Sequence, residues 1–351
     1  MTENRTTPEE EKAGSAELTS MTLESQPTDI ADSPATRALV ADPVADPAVT
    51  AAKSQGRIVR ERFLRHKGAL VGMAGLAVII LLAFTSIGLT IGGFHIPGWW
   101  SKNFTDVAEM DNGGNPTLSW TGLGEHPFGQ DTLGRDYFAM TMRGAQISLI
   151  IAFIVGVVGT VIGTVIGALA GYFRGKTEAV LMRFTDVIIT IPLLVVAAVM
   201  STVVARYGIV VFAIFLGMVT WTGLARIVRG EFLSLREKEF VEAAKSVGAG
   251  SARIIFKHIL PNTVGVIIVS ATLAISGAIL LETALSFLGL GVQPPDTSLG
   301  RLINENRSAM TVRPWLFFWP GVFIVAIALT VNFIGDGLRD AFDPRQTRNK
   351  R

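Results

Sequence analysis

Six apolar runs of about membrane length govern what this chain can become: about 69–91, 147–172, 187–206, 208–225, 264–286 and 315–337. About 20 helical residues, rising 1.5 Å each, cross a hydrocarbon core about 30 Å thick. Inside lipid every backbone donor must find its acceptor within the segment, so the runs predict helices. The expected fold is an all-α polytopic membrane protein with six transmembrane helices. Runs three and four abut at Arg206-Tyr207-Gly208 and predict a tight helical hairpin.

The net charge of +2 says little, but its distribution sets an orientation. Basic residues precede the first run (Arg57, Arg60, Arg62, Arg65, Lys67), follow the second (Arg174, Lys176, Arg183) and the fourth (Arg226, Arg229, Arg236, Lys238, Lys245, Arg253, Lys257), and end the chain (Arg339, Arg345, Arg348, Lys350, Arg351). The segment between runs one and two instead gathers Asp106, Glu109, Asp111, Glu125, Asp131 and Asp136. The positive-inside rule therefore predicts both termini in the cytoplasm.

Much chemistry is excluded. There is no cysteine, so disulfides and thiolate sites are absent. The first apolar run begins near residue 69 and has full length, which predicts a signal-anchor rather than a cleaved leader. The four histidines, His66, His95, His126 and His258, are dispersed and form no expected metal cluster. His126 reads as an ordinary loop histidine. No nucleophile–base pair is visible, so no catalytic residue is expected. Gly175-Lys176-Thr177 imitates the end of a phosphate-binding loop, but the required earlier glycine is Ala170 and a membrane helix replaces the preceding strand. With no other ATP site in view, any power source is another chain.

The expected organisation is a disordered cytoplasmic tail over 1–56, a basic amphipathic juxtamembrane segment over 57–67 lying along the anionic leaflet, a first transmembrane helix over 68–92, an extracytoplasmic segment over 93–146, a core over 147–340, and a short cytoplasmic tail over 341–351. Trp99, Trp100 and Trp120 suit interfacial anchoring. In the second run Gly159, Gly163, Gly167 and Gly171 repeat every four residues, a smooth stripe that lets another helix approach closely. Its partner, within this chain or in a second subunit, stays open.

The core contains a cytoplasmic loop over 226–262. Its residues Lys238 to Ser246 favour a helix, with Phe240, Val241, Ala244 and Val247 as an apolar side. Gly248 and Gly250 around Ala249 permit a sharp corner. Ser251 is the expected N-cap of a second short helix, and Pro261 restricts Leu260 and redirects the chain into the next span. Two readings fit this amphipathic elbow: insertion into a groove on another protein, or an ordinary loop resting on headgroups.

Glu242-Ala243-Ala244, Gly248-Ala249 and Leu260-Pro261 together resemble the EAA loop of permease subunits of ATP-binding-cassette importers; His258 stands where that pattern carries an aliphatic residue. HPFGQDTLGRD (126–136), RFTDVIITIP (183–192), LLETALSFLGLGVQPPDTSLG (280–300) and DGLRDAFDPR (336–345) resemble the C-type permease of dipeptide/oligopeptide transporters and their nickel relatives. The resemblance covers about 57–346. It implies a type I importer permease (MetI-like) fold. Glu242, Ala243, Ala244, Gly248, Ala249, Leu260 and Pro261 would couple it to an ATPase. The implied partners are a second, homologous permease in a heterodimer, two ATPase domains that hold ATP and magnesium, an extracytoplasmic solute-binding protein, a di- or oligopeptide substrate and the bilayer. No cofactor would be bound by this chain, and no nucleic acid is implied. Nickel or another small solute is the alternative cargo, and an autonomous secondary transporter or channel the alternative from another class.

Glu282 lies deep in the fifth run, where a charge costs about 2.5–3.5 kcal/mol on insertion scales and needs a partner. It reads either as a cavity-lining contact or as a structural hydrogen-bond acceptor. Ser286, Gly289 and Gly291, ahead of Pro294-Pro295, form a broken helix end suited to an external gate. Arg183 and Asp186 are spaced as a local ion pair, and Pro192 is expected to kink the third helix.

Overall fold

The computed structural model describes residues 55–343 except 92, 93 and 121. The expected tails, 1–56 up to residue 54 and 341–351 beyond residue 343, lie outside the described residues.

Helix α1 (Gln55–Phe63) is the basic amphipathic segment. It is docked rather than free, since an Arg62 guanidinium N–H donates to the Asp343 carbonyl at 2.9 Å. Helix α2 (Lys67–Ser86) follows at once, with the His66 ring accepting from the Ala69 N–H as N-cap. Its 20 residues suffice to span the membrane. It lies on the last helix, α11 (Trp315–Phe342), where added Cβ atoms on Gly72 and Gly75 would meet Thr330 at 2.7 and 2.8 Å. The helix stops five residues before the apolar run does. Gly88, at φ +73°, turns the chain, and Leu89–Ile91 pairs antiparallel with Phe94–Ile96. This small hairpin is the one strand pairing of an otherwise helical architecture among the described residues.

Helix α3 (Tyr137–Phe173) begins ten residues before its apolar run and reaches about 55 Å at 1.5 Å per residue. Asp136 caps it by accepting from the Ala139 N–H at 2.7 Å. Residues 137–146 are too polar to read as membrane core, yet most are buried, covered by the loop before them and by α10 (Leu299–Asn306). Helix α3 is the axis of the bundle, touching α2, α6 (Ile209–Thr220), α7 (Thr222–Arg236), α9 (Ser251–Phe287), α10 and α11.

Two runs are broken rather than kinked. Helices α4 (Gly175–Thr190) and α5 (Leu193–Val204) meet at 82°, and α6 (Ile209–Thr220) and α7 (Thr222–Arg236) at 47°. At the first break Pro192 lacks an N–H and pushes Ile191 into extended backbone, so the helix ends instead of bending. Four helices are long and apolar enough to cross a membrane unbroken, and six spans result when each bent pair counts as one. The α5–α6 hairpin forms as expected, with Gly208 at φ +100°.

The glycine stripe has its partner inside the chain. Cβ atoms added to Gly163, Gly167 and Gly171 would fall 2.9 Å from the Trp221 carbonyl oxygen, 2.5 Å from that of Ala225 and 2.8 Å from that of Arg229. The stripe is therefore the contact by which α7 lies backbone to backbone against α3. Gly159 is looser, at 3.3 Å from Thr220 Oγ1.

In α11, Pro320 leaves the Leu316 carbonyl without its helical donor. The buried Tyr137 hydroxyl supplies one, donating to that carbonyl from the start of α3.

Candidate functional site: the coupling corner

The EAA segment forms helix α8 (Glu239–Ser246), with Glu239 and Glu242 in its first turn and Lys245 in its last, the arrangement the helix dipole favours. Val241 and Ala244 are buried in a cluster with Tyr172, Val228, Phe232, Ile254, Ile255 and Ile259. Of the expected apolar side only these two face the chain's own core. Phe240 is 40% and Val247 85% exposed, and Phe256 beyond the corner is 68% exposed. Glu242 and Ala243 face outward beside them.

A Schellman motif ends α8. The Ala249 N–H donates to the Ala244 carbonyl at 3.0 Å and the Gly248 N–H to that of Lys245 at 2.9 Å, with Gly248 at φ +79°. Among the described residues no atom lies within 4 Å of a Cβ placed on Gly248 or Gly250. The corner thus projects, while Ala249 and Leu260 pack on the cluster beneath it.

Two local expectations fail. Ser251 does not cap the next helix through its side chain; Gly250 is the cap residue and Ser251 the first helical one. Pro261 does not redirect the chain either. Residues Ser251–Phe287 run on as one helix, α9, with a π turn over Ile254–Ile259. The Leu260 N–H reaches back five residues to the Ile255 carbonyl. This widened turn carries the chain past a proline that has no N–H to donate, and Leu260 stays helical at φ −54°, ψ −43°.

The corner stands on a braced base. Arg236 donates to the Tyr172 carbonyl at the end of α3, and Arg174 pairs with Glu237 at 2.6 Å. Arg229 Nε donates to Glu178 at 2.7 Å, and Arg226 to Asp186 at 2.6 Å, tying α7 to α4. Asp186 therefore takes its partner from α7, and not from Arg183 one turn away. Gly175-Lys176-Thr177 is simply the first turn of α4.

At the far end of α9, Glu282 is fully buried. Its two carboxylate oxygens accept from Ser148 of α3 at 3.0 Å and from Ser286 at 2.6 Å. Gly289, at φ +77°, ends the helix, and Gly291 packs so closely that a Cβ would sit 2.0 Å from Ser286 Oγ. The chain then folds back through α10, a helix lying between the fifth and sixth apolar runs. Its signal was present: Ser298 caps it by accepting from the Arg301 N–H, and Leu299, Leu302 and Ile303 recur at helical spacing.

The segment 126–136 is a structural knot. His126 is buried, its Nδ1 2.7 Å from Asp136 and its Nε2 2.8 Å from Lys102 Nζ, so it is no ordinary loop histidine. Asp131 accepts from the Leu133 and Arg135 N–H groups and from Arg135 Nε, while Phe128 stacks on Trp319 at 3.9 Å. Asp111, Glu125 and His126 bring ligand-type atoms within 4.8 Å of one another, but Lys102 and Asp136 occupy both ring nitrogens of His126.

Residues 163–348 match the family model of the binding-protein-dependent transport system inner membrane component, and residues 54–92 that of the N-terminal TM domain of oligopeptide transport permease C. The chain is 39% identical over 288 residues to the oligopeptide transport system permease protein OppC of Haemophilus influenzae, covering 82% of this chain and 87% of the relative. It is 38% identical to the protein of the same name in Escherichia coli K12, over 82% and 90% of the two chains. The Mycobacterium bovis OppC is 35% identical over 83% and 95%. A solved chain of the MetNI methionine ABC transporter, in an inward-facing form, superposes with TM-score 0.49 at 20% identity, over 58% of this chain and 96% of that one. The chain belongs to the binding-protein-dependent transport system inner membrane components, multi-pass proteins of the cytoplasmic membrane.

Proposed function

We propose that this chain is one of two homologous membrane subunits of an ATP-driven importer of oligopeptides, and that α8 with its glycine corner is the part a separate ATPase subunit grips. The observation that carries the reading is the division of labour within α8. Val241 and Ala244 anchor it to the bundle, while Phe240, Val247 and Phe256 stand exposed at a capped corner, where no atom of the described residues lies within 4 Å of a Cβ placed on Gly248 or Gly250. An apolar, pre-organised projection of this kind suits insertion into a cleft. Relatives named oligopeptide transport system permease protein support the cargo class.

In this mechanism the chain breaks no bond. ATP and magnesium sit on the ATPase subunits, and both termini lie on their side of the membrane. Closure of the two ATPase domains moves the corners. The Arg236–Tyr172 and Arg226–Asp186 contacts and the α3–α7 glycine contact carry the motion into the spans. An external binding protein delivers the peptide, and the residues 286–291 form part of the outer gate.

The test is reconstitution of the full complex in proteoliposomes with and without the ATPases. ATP-dependent peptide uptake that needs the binding protein supports the reading. Uptake by the isolated chain, indifferent to ATP, overturns it in favour of an autonomous transporter. Nickel binding by the cognate external protein, without peptide binding, would reassign the cargo alone.

A further inference from the structure

A buried acid in a membrane helix is by default a candidate substrate contact. Glu282 is placed otherwise. None of its surface is exposed, and each carboxylate oxygen is already taken by a serine hydroxyl.

The serines do not end the chain of bonds. Ser148 Oγ accepts from the Leu299 N–H at 3.4 Å, and Ser286 Oγ accepts from the Val292 N–H at 3.3 Å. One carboxylate thus reaches, through two hydroxyls, two backbone donors of the segment 289–300. Two glycines let that segment close on α9: a Cβ on Gly291 would meet Ser286 Cα at 2.7 Å, and one on Gly300 the Thr283 carbonyl oxygen at 2.6 Å. At the rim Arg143 of α3 holds Asp296 at 2.5 Å.

We infer that Glu282 is a positioning residue of the outer gate: its carboxylate, relayed by Ser148 and Ser286, latches the segment 289–300 onto α3 and α9 in this conformation, and it does not touch substrate. The inference rests on the reading of 286–291 as part of a moving outer element. The geometry assigns each arm a job. Ser286 secures the loop at Val292, and Ser148 secures the start of α10 at Leu299. A glutamine at 282 has one oxygen and one amide group, so it can serve one serine as acceptor and must donate to the other, leaving one hydroxyl hydrogen unplaced. A leucine serves neither.

The chain has no cysteine, so a single thiol is a clean reporter on it. Val292 is buried, and Val292→Cys is conservative in size. In the full complex, with the partner chains made cysteine-free, labelling by a membrane-impermeant thiol reagent is measured with and without a non-hydrolysable ATP analogue. The reporter alone is expected to be protected without nucleotide and labelled with it. Adding Glu282→Leu or Ser286→Ala is expected to raise nucleotide-free labelling by about tenfold or more, a change of about 1.4 kcal/mol in the seating equilibrium. The nucleotide-bound rate should be unchanged. Glu282→Gln is expected between wild type and Leu, and Ser148→Ala to act on a reporter at Leu299 more than at Val292. Should Glu282→Leu fail to assemble, Ser286→Ala and Glu282→Gln read the same equilibrium. A reporter that ignores nucleotide in the otherwise wild-type complex overturns the gate reading and the latch with it. A reporter that responds to nucleotide but not to the latch variants overturns the latch alone. Altered peptide selectivity in Glu282→Gln with unchanged labelling makes Glu282 a substrate contact and also overturns it.

Discussion

Gly248 offers a graded test of the coupling corner. Its φ of +79° lies in the left-handed region, and no atom among the described residues crowds its missing side chain. Substitution therefore meets backbone strain and no clash. For an ordinary L-residue that strain is about 1–2 kcal/mol, and asparagine tolerates the region best. If the corner must hold this shape to dock, 1–2 kcal/mol corresponds to a loss of about 5–30-fold in the competent population. Gly248→Asn is expected to keep most ATP-driven uptake, Gly248→Ala to lose about tenfold, and Gly248→Val, β-branched, to lose more. Gly248→Pro is a different case. Its ring fixes φ near −65° and removes the N–H that reaches Lys245 at 2.9 Å, so the corner cannot form at all. Uptake should be abolished with the chain still inserted and assembled with its partner permease. The assay is peptide uptake into proteoliposomes, read beside ATP hydrolysis and membrane assembly of each variant. Wild-type uptake by Gly248→Pro, or equal damage from Asn and Val, would refute the argument.

Other sites give sharper contrasts. Gly167→Ala forces a Cβ to 2.5 Å from the Ala225 carbonyl oxygen and is expected to destabilise by about 1–3 kcal/mol, whereas Gly159→Ala, at 3.3 Å from a side-chain oxygen, should be near neutral in thermal unfolding of the purified chain. Val247→Asp and Phe256→Asp should leave that unfolding unchanged, since both side chains are largely exposed, yet weaken ATPase binding by more than about 1 kcal/mol in a pull-down titration. Tyr137→Phe strands the Leu316 carbonyl and should cost about 1–3 kcal/mol. Adding Pro320→Ala restores a backbone donor for that carbonyl, so the double variant should recover part of the loss; additive damage would show that the hydroxyl does not stand in for the proline's missing N–H.

The spans were legible because hydropathy alone sets them, and Gly208 and Gly248 announced their turns. What escaped depended on distant residues. Asp136 offers a cap before Tyr137, but hydropathy does not carry α3 back to it, since the loop and the helix that bury residues 137–146 come from elsewhere. Glu282 advertised a need for partners, but Ser148 lies 134 positions away. Asp186 had a plausible neighbour in Arg183 and took Arg226, 40 positions on, because α7 is drawn against α3 and brings its arginines over α4. Period-based reading put Phe240 and Val247 with Val241 and Ala244, and the structure divides that set between the bundle and the outside. Periodicity finds an apolar face; it cannot say how much of that face is kept for another protein.

The coupling corner and the Glu282 latch sit on the same two helices, and this makes communication between them a matter of leverage. Helix α3 runs from Ser148, at the latch, to Tyr172, in the cluster under the corner; α9 runs from Ile259, in that cluster, to Glu282. The 23 residues between Ile259 and Glu282 extend about 35 Å at 1.5 Å per residue. A relative tilt of the two helices by about 5° about the corner end displaces one against the other by about 3 Å at the latch. The Ser148–Glu282 bond of 3.0 Å does not survive that displacement, because O–H···O hydrogen bonds span about 2.5–3.0 Å. The glycine contact holds α3 backbone to backbone against α7, so in this reading α7 travels with α3. On the proposed coupling, a small motion at the corner is then enough to open the far end, provided α9 pivots against the α3–α7 pair and the long helices stay straight.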